Sequence, residues 1–246
     1  MMSLRRYNLL AGLLHTASAI LVIALANGFS LPVAARYMAG APGSGKRQLV
    51  TYGHIPMLLL IASFFVLSAV AHFVIAGPKW SSYVSHLAKH QNPFRWFEYS
   101  LSSSIMILAI AQLTGIEDIA ALIALVGVNA SMIGFGWMQE KYTEPGTGLQ
   151  PFWLGCIAGI VPWIAIGVYL FAPGARAHAP GFVYAIYFSL FVSFNCFAVV
   201  QYLQYRQIGK FKDYLVGERT YITLSFVAKS LLAWQIFAAT LAGSSH

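Results

Sequence analysis

A single lysine stands in the middle of an apolar run near the end of the chain. Tyr221 to Phe237 reads YITLSFVAKSLLAWQIF, and Lys229 is its one charged residue. The run extends from about Tyr214 to Leu241, long enough to cross a bilayer as a helix. A lysine near the centre of such a helix is costly, and that marks it as a candidate functional residue. Burial disfavours the ammonium form, which makes the amine nucleophilic and able to condense with an aldehyde as a Schiff base. The competing reading is that Lys229 snorkels to a headgroup. About a dozen residues or more separate it from either helix end, which is too deep for that.

A buried cation needs a buried anion. Of the seven carboxylates in the chain, Glu117 and Asp118 read as a turn. Glu140 and Glu144 flank another turn, and Asp213 and Glu218 fall in the last loop. Glu98 alone lies within an apolar stretch, RWFEYSLSSSIMI, and is the counterion by elimination. At ~4 Å and an effective dielectric of ~20, such a pair gains about 4 kcal/mol of Coulomb energy, enough to hold a proton on a Schiff base. The alternative is a local pair with Arg95, three residues earlier on the same helical face. Both are compatible.

Helical spacing supplies neighbours. Tyr221, Ser225 and Lys229 share one face of their helix, and Arg95, Glu98 and Ser102 share a face of theirs. Tyr99 is adjacent to Glu98. His15 and His72 each lie inside an apolar run, at depths compatible with Glu98. Two histidines and a glutamate can handle a proton near neutral pH, although a lone membrane histidine more commonly just bonds a neighbouring helix. Asn129 and Asn195 read as interhelical hydrogen-bonding residues, with Asn129 kept as a site candidate. Trp163, Trp234, Phe194 and Met132 could wall a slender apolar ligand or serve as ordinary packing. A metal site has no spacing motif such as H-E-x-x-H behind it.

The elements that must position these residues follow from composition. The 246 residues are 59% hydrophobic and 9% charged, with a mean hydropathy of +0.69. A soluble domain carries about 25% charged residues, so this is an all-α integral membrane protein. Seven apolar stretches fill residues 1–246 as one domain. The expected helices cover about 4–26, 53–76, 91–114, 117–141, 151–172, 181–205 and 214–241. Arg5 and Arg6 before an apolar run, with Ala24-Leu25-Ala26, have the outline of a signal peptide. The run is too long for one and reads as a retained first helix. Between the first two helices, Asn27 to Tyr52 carries Pro42-Gly43, and Leu31-Pro32-Val33 can pair with Leu49-Val50-Thr51 as a short β-hairpin. Pro162 is expected to bend the fifth helix, and Pro173-Gly174 to end it. The segment with Lys79, His86, Lys89 and His90 reads as a basic loop. Cys156 and Cys196 lie inside apolar runs and imply no disulfide framework. No repeat relates the two halves, which argues against an inverted-repeat transporter.

Charge distribution sets orientation. With the N-terminus inside, ten of the fifteen lysines and arginines fall in cytoplasmic segments and four outside, Lys229 being the remainder. That places the N-terminus in the cytoplasm and the C-terminus outside the plasma membrane. The net charge of +8 is spread over loops and forms no basic face with interleaved aromatics, so nucleic acid is not an expected partner.

Several long motifs together resemble the heliorhodopsins along essentially the whole chain. They are NPFRWFEYSLSSSIMI (Asn92 to Ile107), GVNASMI (Gly127 to Ile133), FGWMQEKYT (Phe135 to Thr143), PFWLGCIAGIVPWI (Pro151 to Ile164), QYLQY (Gln201 to Tyr205) and SFVAKSLLAWQIF around Lys229. The resemblance implies a seven-helix rhodopsin-like bundle that carries all-trans-retinal on Lys229, with Glu98 as counterion. It also implies that Ser225, His15 and His72 line the cavity around the Schiff base. The N-terminus would be cytoplasmic, in agreement with the charge count, and the hairpin would lie at a homodimer interface. Ordinary microbial rhodopsins usually have an Asp four residues before the lysine, where this chain has Ser225. Their proton pumps have a carboxylate eleven residues past the counterion, where it has Ala109. The expected function is therefore a light sensor acting on a cytoplasmic partner that the sequence does not identify, rather than an enzyme. The alternatives are a light-driven or passive ion transporter and a membrane enzyme with a Schiff-base lysine or a metal site.

Overall fold

In the computed structural model, residues 2–26, 28–171 and 178–243 are described. The expected turn at Pro173-Gly174, and Arg176 of the charge count, lie outside the described residues. Eight helices and one hairpin follow in order. They are α1 (Met2–Ala24), β1 (Ser30–Met38), β2 (Arg47–Pro56), α2 (Met57–Ala76), α3 (Trp80–Leu87), α4 (Pro93–Leu113), α5 (Ile119–Tyr142), α6 (Gln150–Leu170), α7 (Gly181–Tyr205) and α8 (Tyr214–Gly243). The long helices close a ring in which α1 packs on α2, α2 on α4, α4 on α5, α5 on α6, α6 on α7, α7 on α8, and α8 back on α1.

The ring is apolar outward and polar inward. Leu13, Ile20, Ile123, Ile157 and Val168 are each 60% or more exposed, while His15, Ser68, Glu98, Asn129 and Lys229 are buried. This is the pattern of a bundle solvated by lipid tails, with its backbone hydrogen bonds satisfied inside its helices. Six helices are long and apolar enough to cross a membrane, where the sequence led us to expect seven. The one that does not qualify is α4, because Arg95, Glu98 and the serines at 100 and 102–104 dilute it. Those same residues explain its place. Twelve of its residues are buried, and it touches α6 and α7 as well as its ring neighbours.

Local chemistry fixes the starts of α4 and α5. Asn92 caps α4 by accepting from the Arg95 N–H at 3.1 Å, and Pro93 follows at the first helical position. Asp118 caps α5 by accepting from Ala120 and Ala121. Gly115, at φ 92°, makes the tight turn between α4 and α5. Pro162 is accommodated inside α6, which runs on to Leu170.

The hairpin is longer than expected and in a different register, with Leu31-Pro32-Val33 opposite Ile55-His54-Gly53 and Leu49-Val50-Thr51 opposite Arg36-Ala35-Ala34. Strands β1 and β2 pair antiparallel from Ser30↔Pro56 to Met38↔Arg47, with an irregularity between Val33 and Ala34. Residues 53–56, read as the start of the second helix, are held in this ladder, so α2 begins only at Met57. The hairpin is tied to the bundle by the Ala34 N–H donating to the Glu117 carbonyl at 2.9 Å, and by the Gln112 side chain donating to the Pro32 carbonyl at 3.3 Å. The segment read as a basic loop contains α3. Its buried residues, Tyr83 and Leu87, stand four apart and pack with Leu4, Ile75 and Ile222.

Candidate functional site

Lys229 is 3% exposed, near the midpoint of α8. Its Nζ donates to Glu98 Oε1 at 3.1 Å and to Ser225 Oγ at 2.7 Å. The Ser225 contact follows from helical periodicity, one turn earlier on the same face. Glu98 is 7% exposed and receives a second donor from α2, the Ser68 hydroxyl at 2.6 Å. Glu98, singled out by elimination, is thus the carboxylate that meets Lys229. Ser68 had no sequence signal beyond a polar residue in an apolar run.

One side of this pair opens into a cavity of about 170 Å³ between α4, α5, α6, α7 and α8. Lys229, Ser225 and Ser102 stand at its polar end, and Tyr99 lies along it, its ring centre 5.5 Å from the Lys229 nitrogen. Met132, Ile160, Trp163, Phe191 and Phe194 wall the rest. Trp163 is held edge-on by Tyr187, Phe191 and Phe194, with ring centres 5.4–5.6 Å apart. A long apolar ligand attached to Lys229 fits these walls, which offer few polar groups away from the lysine.

The other side of the pair is polar. His72 shares a small cavity with Glu98, Tyr99 and Asn8, and its Nδ1 lies 2.9 Å from Asn8 Oδ1. His15 is fully buried and stacked on His72, with ring centres 5.5 Å apart and planes 13° from parallel. Neither His15 nitrogen has a hydrogen-bond partner among the described residues. The two histidines and the glutamate therefore converge, as their depths suggested.

Other candidates fall elsewhere. Asn129 is buried away from the large cavity and ties α5 to α4 through Ser103 Oγ at 2.8 Å and Ser104 Oγ at 3.1 Å. Asn195, by contrast, lines the large cavity but does not bridge helices, since its amide returns to the Phe191 carbonyl of its own helix. Trp234 is 42% exposed and absent from the cavity wall, because a spacing of five from Lys229 turns it to another face. Among the described residues no group of three or more His, Cys, Asp or Glu is placed to hold a metal ion.

The largest departure from the sequence reading lies one turn from Glu98. Arg95 does not pair with it. The guanidinium binds Glu140 of α5 and Glu218 of α8, both read as turn or loop residues and both buried here. Glu140 also accepts from the Trp96 indole, the Tyr214 hydroxyl and the Asn92 N–H. Glu218 accepts from Tyr83 at 2.9 Å and the Asn92 amide at 2.7 Å. Helices approach closely around this cluster. A Cβ on Gly136 would come within 2.6 Å of the Trp96 ring, so only glycine fits there without displacing the indole.

The buried lysine–glutamate pair, its apolar cavity and the histidines beside it are the features that the sequence motifs implied. No curated protein matches the chain. The sequence profile of the heliorhodopsins matches residues 4–241, and the chain belongs to the heliorhodopsin family, multi-pass membrane photoreceptors that bind retinal and are not enzymes.

Proposed function

We propose that the chain is a light sensor in which all-trans-retinal is joined to Lys229 as a protonated Schiff base, with Glu98 as its counterion. The observation that carries this reading is the buried Lys229 side-chain nitrogen, 3.1 Å from the Glu98 carboxylate at the polar end of an apolar cavity. Retinal supplies the absorption of light and the change of shape that follows. The protein supplies the rest. Glu98 holds positive charge at the lysine nitrogen, and Ser68 and Ser225 fix the geometry of the pair. Tyr99, Ser102, Met132, Trp163 and Phe194 confine the ligand.

His72 is the base beside Glu98 on its polar side, with His15 stacked on it, so a proton leaving the nitrogen is kept inside the protein. We read α4 as a seventh span, its polar residues screened from lipid by the ring around it. We place the N-terminus and α3 in the cytoplasm and the C-terminus outside the plasma membrane, on the distribution of lysine and arginine. The hairpin, with Tyr37, Met38, Leu49 and Tyr52 exposed, suits a homodimer contact. Residues 1–246 act as one domain that signals to a cytoplasmic partner.

The test is colour. The chain expressed with all-trans-retinal should show a visible band, and Lys229→Ala should insert in the membrane without one. A visible band surviving in Lys229→Ala would overturn the assignment. A steady photocurrent would favour an ion transporter instead.

A further inference from the structure

We propose that Glu218 couples the retinal site to α3, so that α3 is the element whose docking changes with light. The inference rests on the reading of Lys229 and Glu98 given above. Glu218 stands at a junction of three helices. From α8, its Oε1 accepts the Tyr83 hydroxyl of α3 at 2.9 Å and the amide of Asn92, the cap of α4, at 2.7 Å, while its Oε2 binds Arg95 of α4. It is 2% exposed, so these bonds act in a low dielectric, where they are strong and sensitive to nearby charge.

The retinal side reaches the same carboxylate. A cavity of about 30 Å³ lies against Glu98, His72, Arg95 and Glu218, roomy and polar enough for a water molecule. Glu98 and Glu218 are the two carboxylates on its wall. When positive charge leaves the Lys229 nitrogen, or moves through Glu98 toward His72, the field along this cavity changes. Glu218 and Arg95 are the next charges to feel it.

The receiving element is poised to respond. A helix of eight residues is too short to be stable alone. It is held by the packing of Trp80, Tyr83 and Leu87, by the His86 ring edge-on to Phe94 of α4, and by the hydroxyl that Tyr83 gives to Glu218, which is its hydrogen bond to a buried charge. Burial and the Glu218 charge push the Tyr83 phenol well above its ordinary pKa, so it remains a donor. The opposite face of α3 presents Ser81 and Ser85, with Lys79 and Lys89 just beyond its two ends. A change in docking there alters the surface offered to a partner.

Amide exchange over residues 79–91 tests this, measured in the retinal-loaded full chain in darkness and under continuous light. Exchange should be about tenfold faster in light, the factor expected when a hydrogen bond to a charged group is lost. Tyr83→Phe should exchange fast in both conditions while its dark visible band stays in place, since Tyr83 does not line the retinal cavity. Glu218→Gln keeps an acceptor for Tyr83 but not the charge. It should leave α3 protected in darkness and abolish the response to light, which a purely structural role for Glu218 would not do. A coloured parent whose α3 exchange ignores light, or a Glu218→Gln protein with the full light response, would overturn the coupling alone. A parent without any visible band would overturn it together with the retinal reading.

Discussion

Replacing Glu98 by glutamine removes one charge and little else, and its effect can be worked from the geometry. At 3.1 Å and an effective dielectric of ~20, the Glu98 carboxylate attracts the cation on Lys229 by about 5 kcal/mol. Excitation of a conjugated cation carries positive charge away from the nitrogen toward the far end of the chain. If about half of it leaves, the carboxylate raises the excitation energy by roughly 2–3 kcal/mol, near a twentieth of a visible photon. Glu98→Gln should therefore absorb at longer wavelength by about 25 nm, with Glu98→Asp staying close to the parent. The same loss weakens the hold on the proton. The visible form is the protonated one and Glu98 stabilises it, so the variant should lose its colour at lower pH than the parent. The assay is a visible spectrum recorded across a pH series. If both the band and its loss with pH are unchanged, another anion neutralises Lys229, and the reasoning from the Glu98 distance fails.

Further expectations follow from other contacts. Arg95→Gln strands two buried carboxylates and should cost about 3–5 kcal/mol, read as earlier thermal bleaching, while Glu140→Gln in the same chain should recover part of it. Asn129→Ala removes the α4–α5 tie and should cost about 1 kcal/mol by the same measurement. A C-terminal tag should be labelled from outside intact cells and an N-terminal tag should not, and the reverse result would overturn the orientation drawn from charge. Illuminated, voltage-clamped membranes should carry no steady current, and one that scales with light intensity would refute retention of the proton.

What was legible in the sequence was the pair at the centre. Lys229 and Glu98 are lone charges in apolar runs, and composition makes such residues conspicuous. Ser225 followed from periodicity, and the hairpin from its turn residues. What misled was position near the end of a run. Glu140 precedes Lys141 and Glu218 precedes Arg219, so each looked like part of a solvated border. Charge balance held the missing clue. Arg95 lies in the same apolar stretch as Glu98, and once Glu98 is given to Lys229 the arginine needs other anions, which are Glu140 and Glu218. Helix α3 was hidden for a different reason. Two apolar residues four apart in a basic segment make too weak a pattern, and it is the packing against α1, α2 and α8 that makes them a helix. Trp234 was placed by aromatic character alone, without regard to its face.

The sidedness of the buried charges bears on what a moving proton can do. Glu98, His72, His15, Arg95, Glu140 and Glu218 all lie on the α3 side of the lysine nitrogen or level with it. Toward the hairpin, the described helices carry no buried Asp, Glu, Lys or Arg. On α4 that stretch runs through Met106, Ile107, Ala109 and Ile110 to Gln112, without a carboxylate. Crossing it would require an unpartnered charge in a low-dielectric interior, which costs several kcal/mol or more. A proton released from Lys229 therefore has acceptors on one side only. On the proposed reading its movement drives no transport and instead acts on the polar end of the bundle, where α3, α4, α5 and α8 are held together by shared carboxylates.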